Sequence, residues 1–327
     1  MSPMLAVRTR SESIPRPRLR RGALALAAVA AALLLLVVVA FRDPTSRFHD
    51  RRSRLVQVTE KRVEMRGDHA VESVRLRAAS GLVVDLLIKR PVSVAVADGS
   101  APGRRPAVLL LGGYVTGRDA VRLIPESRGA VVAAMSYPYG GERRVNGLRI
   151  LLQVPAIRRA VLDTPPAVML AIDYLSSLPD VDPTRIEGVG VSLGAPFMVI
   201  AGALDPRIGR VWSIHGSGGS YGPLAANLRG SVRFAPARAA VAGLASLLIS
   251  GPRLAPERWV GRIAPRPFVM LNARDDEQMP QPFVRRLYDS ARQPKQIIWV
   301  PGGHVRATPE IVRPLVDTVL ARVVDSS

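Results

Sequence analysis

The chain has 327 residues, of which 48% are hydrophobic, and 46 Lys and Arg against 26 Asp and Glu give a formal net charge of +20 at pH 7. It contains no cysteine, which excludes disulfides, thiolate nucleophiles and zinc sites with cysteine ligands. The positive charge is typical of proteins that bind nucleic acid or an anionic membrane surface. Aromatic residues make up only 5%, too few for base-stacking platforms, so we expect a membrane and no nucleic acid.

The N-terminal region contains an apolar segment, 22–41, without a charged residue. A helix of that length spans about 30 Å, the thickness of the hydrocarbon core of a bilayer. We predict a transmembrane signal-anchor helix at 22–41 after a basic cytoplasmic N-terminus, 1–21, which leaves the rest of the chain extracytoplasmic. The alternative is a signal peptide cleaved after Ala40, although such apolar regions are usually about 7–15 residues long. The arginine-rich segment 42–65 is predicted to be a juxtamembrane linker.

Residues 66–327 read as one α/β domain. Two β-branched runs at 71–76 and 82–88, with Gly81 between them, predict an antiparallel hairpin. Apolar runs of the kind found in strands buried on both faces follow. These further strand-like runs lie at 106–111, 130–135, 186–191, 210–214, 267–272 and 295–300. Their alternation with helix-like segments predicts a mostly parallel central sheet flanked by helices.

The helix-like segments lie between these runs. One covers 119–123, a second covers 147–162 with a kink at Pro155, and a third covers 167–178 after Pro165 and Pro166, because proline interrupts a helix. The long insertion near 221–260 alternates apolar and basic residues. We predict a helical lid there, with contact to the bilayer or ordinary core helices as alternatives.

The strongest chemical signal is the sequence Gly-Val-Ser-Leu-Gly at 190–194. A β-branched run precedes this G-x-S-x-G match and a helix-like segment follows it, which indicates a nucleophile elbow. In such an elbow the serine stands on a strained turn, and small residues such as Gly190 and Gly194 let strand and helix pack closely. Ser192 is therefore the predicted nucleophile, and the backbone N–H of Leu193, at the start of a helix, is a predicted oxyanion donor.

Two other interpretations of the glycines remain. A second G-x-S-x-G match at 218–222 contains Ser220, but residues separate it from the preceding strand-like run and Pro223 follows. Gly188, Gly190 and Gly194 resemble a dinucleotide fingerprint that is one residue too long. That interpretation lacks the acidic residue expected after a second strand.

An acid and a base follow later strands. Asp275, Asp276 and Glu277 come after 267–272, and His304 comes after 295–300. A histidine is needed to take the proton of a serine hydroxyl, and a carboxylate is needed to hold the imidazole in the right tautomer. At the end of the run 106–111 the N–H of Tyr114 is a predicted second oxyanion donor, with Gly113 beside it. Further candidate pocket residues are Tyr137 and Tyr139, at the end of the run 130–135.

These motifs, in the chain order Ser, Asp, His, resemble the α/β-hydrolase superfamily over about 71–324. The resemblance is to the branch of dienelactone hydrolases, acetyl-xylan-type esterases and acyl-CoA thioesterase catalytic domains. It rests on Leu-Pro at 178–179, Asp-Pro at 182–183 and Arg-Ile at 185–186 before the elbow, and on Ile-Ala-Pro-Arg-Pro at 263–267. It implies that the acid stands a few residues before a proline, which favours Asp276 over the fallback Asp275, and that 302–304 is the base loop.

The sequence therefore predicts a membrane-anchored serine hydrolase that cleaves a carboxylic ester or thioester through an acyl-enzyme. The substrate would be a small-molecule or lipid ester, and no metal or organic cofactor is expected. An acyltransferase that uses the same acyl-enzyme is one alternative. A non-catalytic binding protein is another, because a fold does not fix a function.

Overall fold

The computed structural model describes residues 16–92, 103–113, 116–142, 149–305 and 308–325. The chain divides into two units, Met1–Val39 and Ala40–Ser327. Helix α1, Arg16–Phe41, begins in the first unit. Its segment Ala23–Phe41 has a mean hydropathy of 3.1 and is long and apolar enough to cross a membrane, a property that a signal sequence near an N-terminus shares.

The second unit is built on a nine-stranded sheet within the described residues, in the order β1-β2-β3-β5-β4-β6-β7-β8-β9. The first four strands of that order pair antiparallel, and β5 to β9 pair parallel. The strands are β1 Leu55–Arg66, β2 His69–Ala78, β3 Val83–Pro91, β4 Arg105–Leu111, β5 Val131–Met135, β6 Val181–Val191, β7 Ile208–Ile214, β8 Phe268–Ala273 and β9 Lys295–Val300. The predicted hairpin is β2 and β3.

Helices cover both faces of this sheet. They are α2 Thr45–Arg52, α3 Ile150–Ser176, α4 Gly194–Leu204, α5 Tyr221–Asn227, α6 Ala235–Leu248, α7 Gln281–Ser290 and α8 Pro309–Asp325, with 3-10 helices at Gly117–Leu123, Gly251–Leu254, Pro256–Arg258 and Val260–Arg262. One apolar cluster joins the sheet to α2, α3 and α4. A second cluster joins the opposite face to the 3-10 helix Gly117–Leu123 and to α8.

The prediction of a juxtamembrane linker at 42–65 is wrong, because this segment contains α2 and most of β1. Phe48 of α2 is fully buried, with its ring centroid 6.1 Å from that of Trp259. Arg51 forms an ion pair with the buried carboxylate of Asp163 at 2.7 Å. The burial of Phe48, ion pairs to distant carboxylates and the pairing of β1 with β2 fix this segment to the domain, and the ion pairs produce no local sequence pattern.

The helices expected at 147–162 and 167–178 form one continuous helix, α3, that runs through Pro155, Pro165 and Pro166. An interior proline costs about 3 kcal/mol. The second half of α3 is almost entirely buried in the core. Tertiary packing therefore outweighs the local penalty here. The predicted helix 119–123 is a 3-10 helix.

The parallel half of the sheet positions the candidate site. Strands β6, β7, β8 and β9 are neighbours, so their carboxyl ends lie along one edge, where α/β proteins bind ligands. Ser192, His215, Asp276 and His304 each follow one of these ends. The insertion between β7 and β8 contains α5, α6 and the last three 3-10 helices, the segment predicted as a helical lid.

Candidate active site

Ser192 stands on a strained turn between β6 and α4. Its φ is +52°, in the left-handed region that non-glycine residues rarely adopt. The Ser192 N–H donates to the carbonyl oxygen of Ile214, at the end of β7, at 2.8 Å. This bond ties the turn to the neighbouring strand and helps to hold the strained conformation. The sequence pattern at 190–194 thus forms a strand-to-helix elbow.

The two glycines of this elbow are required by close backbone contacts. A Cβ on Gly194 would lie 2.0 Å from the carbonyl oxygen of Leu111 in β4. A Cβ on Gly190 would lie 2.7 Å from the Cα of Ala195. Real Cβ atoms do not approach so closely, so only glycine fits at either position without a backbone shift.

Ser192, His304 and Asp276 form a continuous hydrogen-bonded chain. Ser192 Oγ lies 2.8 Å from His304 Nε2, and His304 Nδ1 lies 2.9 Å from each carboxylate oxygen of Asp276. An ionised carboxylate only accepts hydrogen bonds, so the neutral imidazole carries its proton on Nδ1. Its Nε2 is then an acceptor for the serine hydroxyl. The structure thus brings together the three predicted side chains in the arrangement that activates a serine.

The carboxylate of Asp276 accepts hydrogen bonds from two histidines and from two backbone N–H groups. Its side chain is nearly fully buried, and the N–H groups of Gln278 and Met279 both donate to Oδ1 at 2.9 Å. Burial alone would raise the pKa of Asp276, but hydrogen bonds from His215 and His304 outweigh burial and hold that pKa well below its ordinary value. The group therefore stays ionised at neutral pH.

His215 is a site residue that the sequence analysis does not single out, because a histidine beside glycines in a loop is typical of a turn or pocket residue. Its Nδ1 lies 2.7 Å from Asp276 Oδ2, and its ring meets the His304 ring edge-on with centroids 5.4 Å apart. The side chain is buried, and its φ is +48°. The signal that could have found it is its place directly after β7, at the same sheet edge as the other three side chains.

One predicted oxyanion donor lies within the described residues. Leu193 precedes Gly194, where α4 begins, so its N–H is among those that have no partner within the helix. Tyr114 lies outside the described residues. Gly112, directly after β4, is held by Tyr137, whose hydroxyl donates to the Gly112 carbonyl oxygen at 2.7 Å. Burial raises the pKa of Tyr137, so it remains a neutral donor.

Other predicted residues lie around this centre. Asp275, the fallback acid, is exposed, and its N–H donates to the carbonyl oxygen of Gly302. Ser220 directly precedes α5, and its hydroxyl lies 2.7 Å from that of Ser246. Gly188 lies inside β6, so it is not part of a phosphate-binding loop. Tyr139 donates to the carbonyl oxygen of Glu142 at 3.2 Å.

Two cavities meet at Ser192. One, of about 200 Å³, is lined by residues of β4, β6 and α8 and includes Gly113. The other, of about 350 Å³, is lined by α5 and by Ser217 and Gln278. A third cavity, lined by Tyr137 and Tyr139, shares Leu193 with the second.

Among the described residues, the group that could share one metal ion consists of His215, Asp276 and His304, with ligand atoms within 4.8 Å of one another. Both histidines present Nδ1 to the carboxylate. In this arrangement both atoms carry protons, which a metal ion would have to displace. The geometry therefore fits a hydrogen-bonded relay, and the expectation of no metal or cofactor stays a prediction.

No protein-family model matches the sequence, and no curated protein matches it. Solved structures do match. The chain is similar to acetyl xylan esterase 1 from Thermoanaerobacterium sp. JW/SL YS485, with a TM-score of 0.62, 16% identity and coverage of 86% of this chain and 93% of that one. An acetyl xylan esterase from Paenibacillus sp. R4 gives a TM-score of 0.63 at 15% identity, over 86% and 92% of the two chains. An α/β hydrolase from Penicillium sp. sh18 gives a TM-score of 0.53 at 18% identity, with coverage of 77% of this chain and 96% of that one.

The chain has the α/β-hydrolase fold. Sequence identities this low show a similarity of fold alone. They confirm the fold that the sequence motifs predicted. In this fold Ser192 lies at the elbow between β6 and α4, Asp276 lies in the segment after β8, and His304 lies in the segment after β9.

Proposed function

We propose that this protein is a serine hydrolase that cleaves carboxylic esters or thioesters through an acyl-enzyme. The observation that carries the proposal is the chain of contacts from Ser192 Oγ to His304 Nε2 and from His304 Nδ1 to Asp276. A serine hydroxyl is a weak nucleophile until a base takes its proton. The similarity in fold to two acetyl xylan esterases supports ester hydrolysis.

The reaction has two halves. Ser192 Oγ attacks the carbonyl carbon while His304 Nε2 takes the hydroxyl proton, and the resulting imidazolium is stabilised by Asp276. His304 then gives the proton to the leaving alcohol or thiol, which leaves an acyl group on Ser192. A water molecule attacks this acyl-enzyme with His304 as base. The tetrahedral intermediate formed by this water attack then breaks down. His304 returns the proton to Ser192 Oγ, and the carboxylic acid is released.

The negative charge on the carbonyl oxygen develops next to the first turn of α4. The Leu193 N–H and the positive end of the helix dipole are favourable to an anion there. Gly194 lets this helix begin against β4, so the donor is in place before the substrate binds. The second donor in this proposal is the N–H of Tyr114.

We also propose that α1 anchors the catalytic unit to a membrane, on the extracytoplasmic side. The mean hydropathy of Ala23–Phe41 and the basic residues at 1–21 support this topology. After expression in bacteria, we expect the protein to stay in the membrane after a carbonate wash and to be accessible from the periplasm. A soluble product that begins at Phe41 would instead identify α1 as a cleaved signal peptide.

The test of the catalytic proposal is Ser192→Ala. Removal of a triad serine lowers turnover by about 10⁴ to 10⁶, so we expect this loss with a short acyl ester, together with loss of labelling by a fluorophosphonate probe. Thermal unfolding should change little, because alanine keeps the Cβ and removes only the hydroxyl. Full activity in Ser192→Ala would overturn the assignment.

A further inference from the structure

The cavity on the α8 side of Ser192, called here the α8 cavity, has no role in the reaction described above. We propose that it binds the acyl chain of the substrate and that the protein acts on esters of medium-chain aliphatic acids. This inference rests on the proposed function of Ser192 as the acylated nucleophile. It adds to that function a substrate class and the elements that select it.

The α8 cavity begins at the catalytic serine and extends into the domain. Ser192, Gly112 and Gly113 line it at the carboxyl edge of the sheet, and Val108 lines it further along β4. The four-residue distance from Gly112 to Val108 corresponds to about 13 Å of extended strand. Helix α8 runs alongside and ends near the opposite edge, where the carbonyl oxygen of Val323 accepts a bond from Arg185 of β6.

The lining of the α8 cavity suits a hydrocarbon chain. Its walls are mostly Val, Leu, Ile and Ala, for example Val189 of β6 and Val316 of α8. Its polar side chains are those of Ser192 and Thr116, and Thr116 Oγ1 already donates to the carbonyl oxygen of Gly113 at 3.0 Å. A sugar or a charged group would lose its hydrogen bonds with water there without replacing them, whereas an alkyl chain has none to lose.

The volume of the α8 cavity, about 200 Å³, sets the length of the chain. It corresponds to about seven groups of the size of a water molecule, at about 30 Å³ each. A methylene group is close to that size, so about seven carbons fit in the cavity beyond the carbonyl carbon at Ser192, which gives an acyl chain of about eight carbons. Burial of each methylene should raise kcat/KM about fourfold until the cavity is full.

The second cavity at Ser192 is also lined mainly by apolar side chains, such as Phe197 and Leu224, but it carries more polar groups than the α8 cavity. Its lining includes polar side chains, Ser217, Ser220, Asn227 and Gln278. It lies beside α5, on the lid side of the serine. The two groups that flank the ester therefore have separate places, with the acyl chain in the α8 cavity and the leaving group on the lid side.

The experiment compares chain length in the full-length protein and in three variants, with p-nitrophenyl acetate, butyrate, octanoate and palmitate as substrates. Val316 is half-buried on α8 and lines the α8 cavity, and V316F places an aromatic ring in that cavity. We expect V316F to lose at least about 30-fold in kcat/KM for octanoate while acetate stays within about twofold. V316A should move the optimum toward longer chains. The matched control, L224F, fills the lid-side cavity and should keep the wild-type chain-length profile.

The outcomes separate this inference from the proposed function. If wild-type protein hydrolyses acetate but octanoate is no better, or if V316F and V316A leave the octanoate-to-acetate ratio unchanged, the α8 cavity does not bind the acyl chain. A changed ratio in L224F alone would assign the chain to the lid side and overturn the inference as well. If no ester is hydrolysed, or S192A remains active, the proposed function fails first. Thermal unfolding of each variant shows whether it is folded, and V316A gives its own result if V316F does not fold.

Discussion

Two segments of this molecule have the same five-residue pattern, 190–194 and 218–222, and they have different structures. In the first, Ser192 directly follows β6 and α4 begins two residues later. In the second, five residues separate Ser220 from the end of β7, and the short helix α5 follows. Ser192 contacts the imidazole of His304, whereas Ser220 contacts the hydroxyl of Ser246.

The glycines show why the two segments differ. A Cβ on Gly194 would meet a backbone carbonyl of the central sheet at 2.0 Å, whereas a Cβ on Gly218 would come no closer than 3.2 Å to Leu287 and Phe283. In the first segment the glycines permit contact between a strand and a helix. In the second, Gly218 lies in a loop, and Gly222 lies in the first turn of α5, where a Cβ would meet the side chain of Phe283 and not a backbone atom. The pattern indicates a nucleophile only where a strand of the sheet leads into it.

The largest loss of activity that tests this comparison should come from a change at Asp276, which contacts the histidine beside Ser192, whereas Ser220 contacts Ser246. We expect Asp276→Asn to lower kcat by about 10⁴, the loss measured for the corresponding change in a triad protease. The physical reason is the tautomer, because an amide no longer requires the proton on His304 Nδ1. Steady-state kinetics with a short ester measures this loss. Asp275→Asn is the matched control, and a larger loss there would identify the neighbouring carboxylate as the acid.

The glycines give the second prediction. Gly194→Ala places a methyl group against the Leu111 carbonyl, and overpacking of this kind costs about 3 kcal/mol. We expect Tm to fall by roughly 6–12 °C and activity to fall about 100-fold. Gly218→Ala should change Tm by only a few degrees, with near-normal activity. Equal effects in differential scanning calorimetry would mean that the two segments are not structurally distinct.

The sequence was sufficient to predict the parts of the site with local signals. The elbow depends on two glycines between an apolar strand and an apolar helix, and Asp276 and His304 follow runs that read as buried strands. Because parallel strands end at the same edge, positions far apart in the chain could be expected to converge there. The catalytic roles of these residues stay predictions.

Other parts depend on contacts that leave no local pattern. His215 meets Asp276 across 61 residues of sequence, and its place directly after β7 indicates the shared sheet edge but not this contact. Segment 42–65 joins the domain through the pairing of β1 with β2, through Phe48 and through ion pairs such as that of Arg51 with Asp163. The prolines in α3 favour an interruption of the helix locally, but burial of the helix outweighs that preference.

His215 gives the third prediction, an effect of about tenfold on kcat. His215→Ala removes a hydrogen bond to Asp276 Oδ2, whereas His215→Asn keeps a donor near the Nδ1 position and tolerates a positive φ. We therefore expect the alanine variant to lose activity and the asparagine variant to keep most of it. Similar losses in both variants, measured with a short ester, would contradict a role as hydrogen-bond donor.

The pH dependence of unfolding gives this prediction a second measurement. The hydrogen bond from His215 lowers the pKa of Asp276, so its loss should raise that pKa. A carboxyl group whose pKa is lowered by folding contributes stability that is present above its unfolded pKa, about 3.9, and is lost as pH falls through the folded pKa. The difference in Tm between wild type and His215→Ala should therefore be full above about pH 5 and shrink in acid. A difference that does not change with pH would indicate packing alone.

The smallest expected effect is that of Ser220→Ala. Its hydroxyl contacts Ser246, so the substitution removes one hydrogen bond, worth about 1 kcal/mol, and no part of the relay at Ser192. Because Ser220 lines the lid-side cavity, KM for large alcohol groups can change, but kcat for p-nitrophenyl acetate should stay within about twofold. Fluorophosphonate labelling should also persist in Ser220→Ala and disappear in Ser192→Ala. Labelling that is lost in Ser220→Ala and kept in Ser192→Ala would place the nucleophile in the second segment. Ser220 would then have to reach a histidine base.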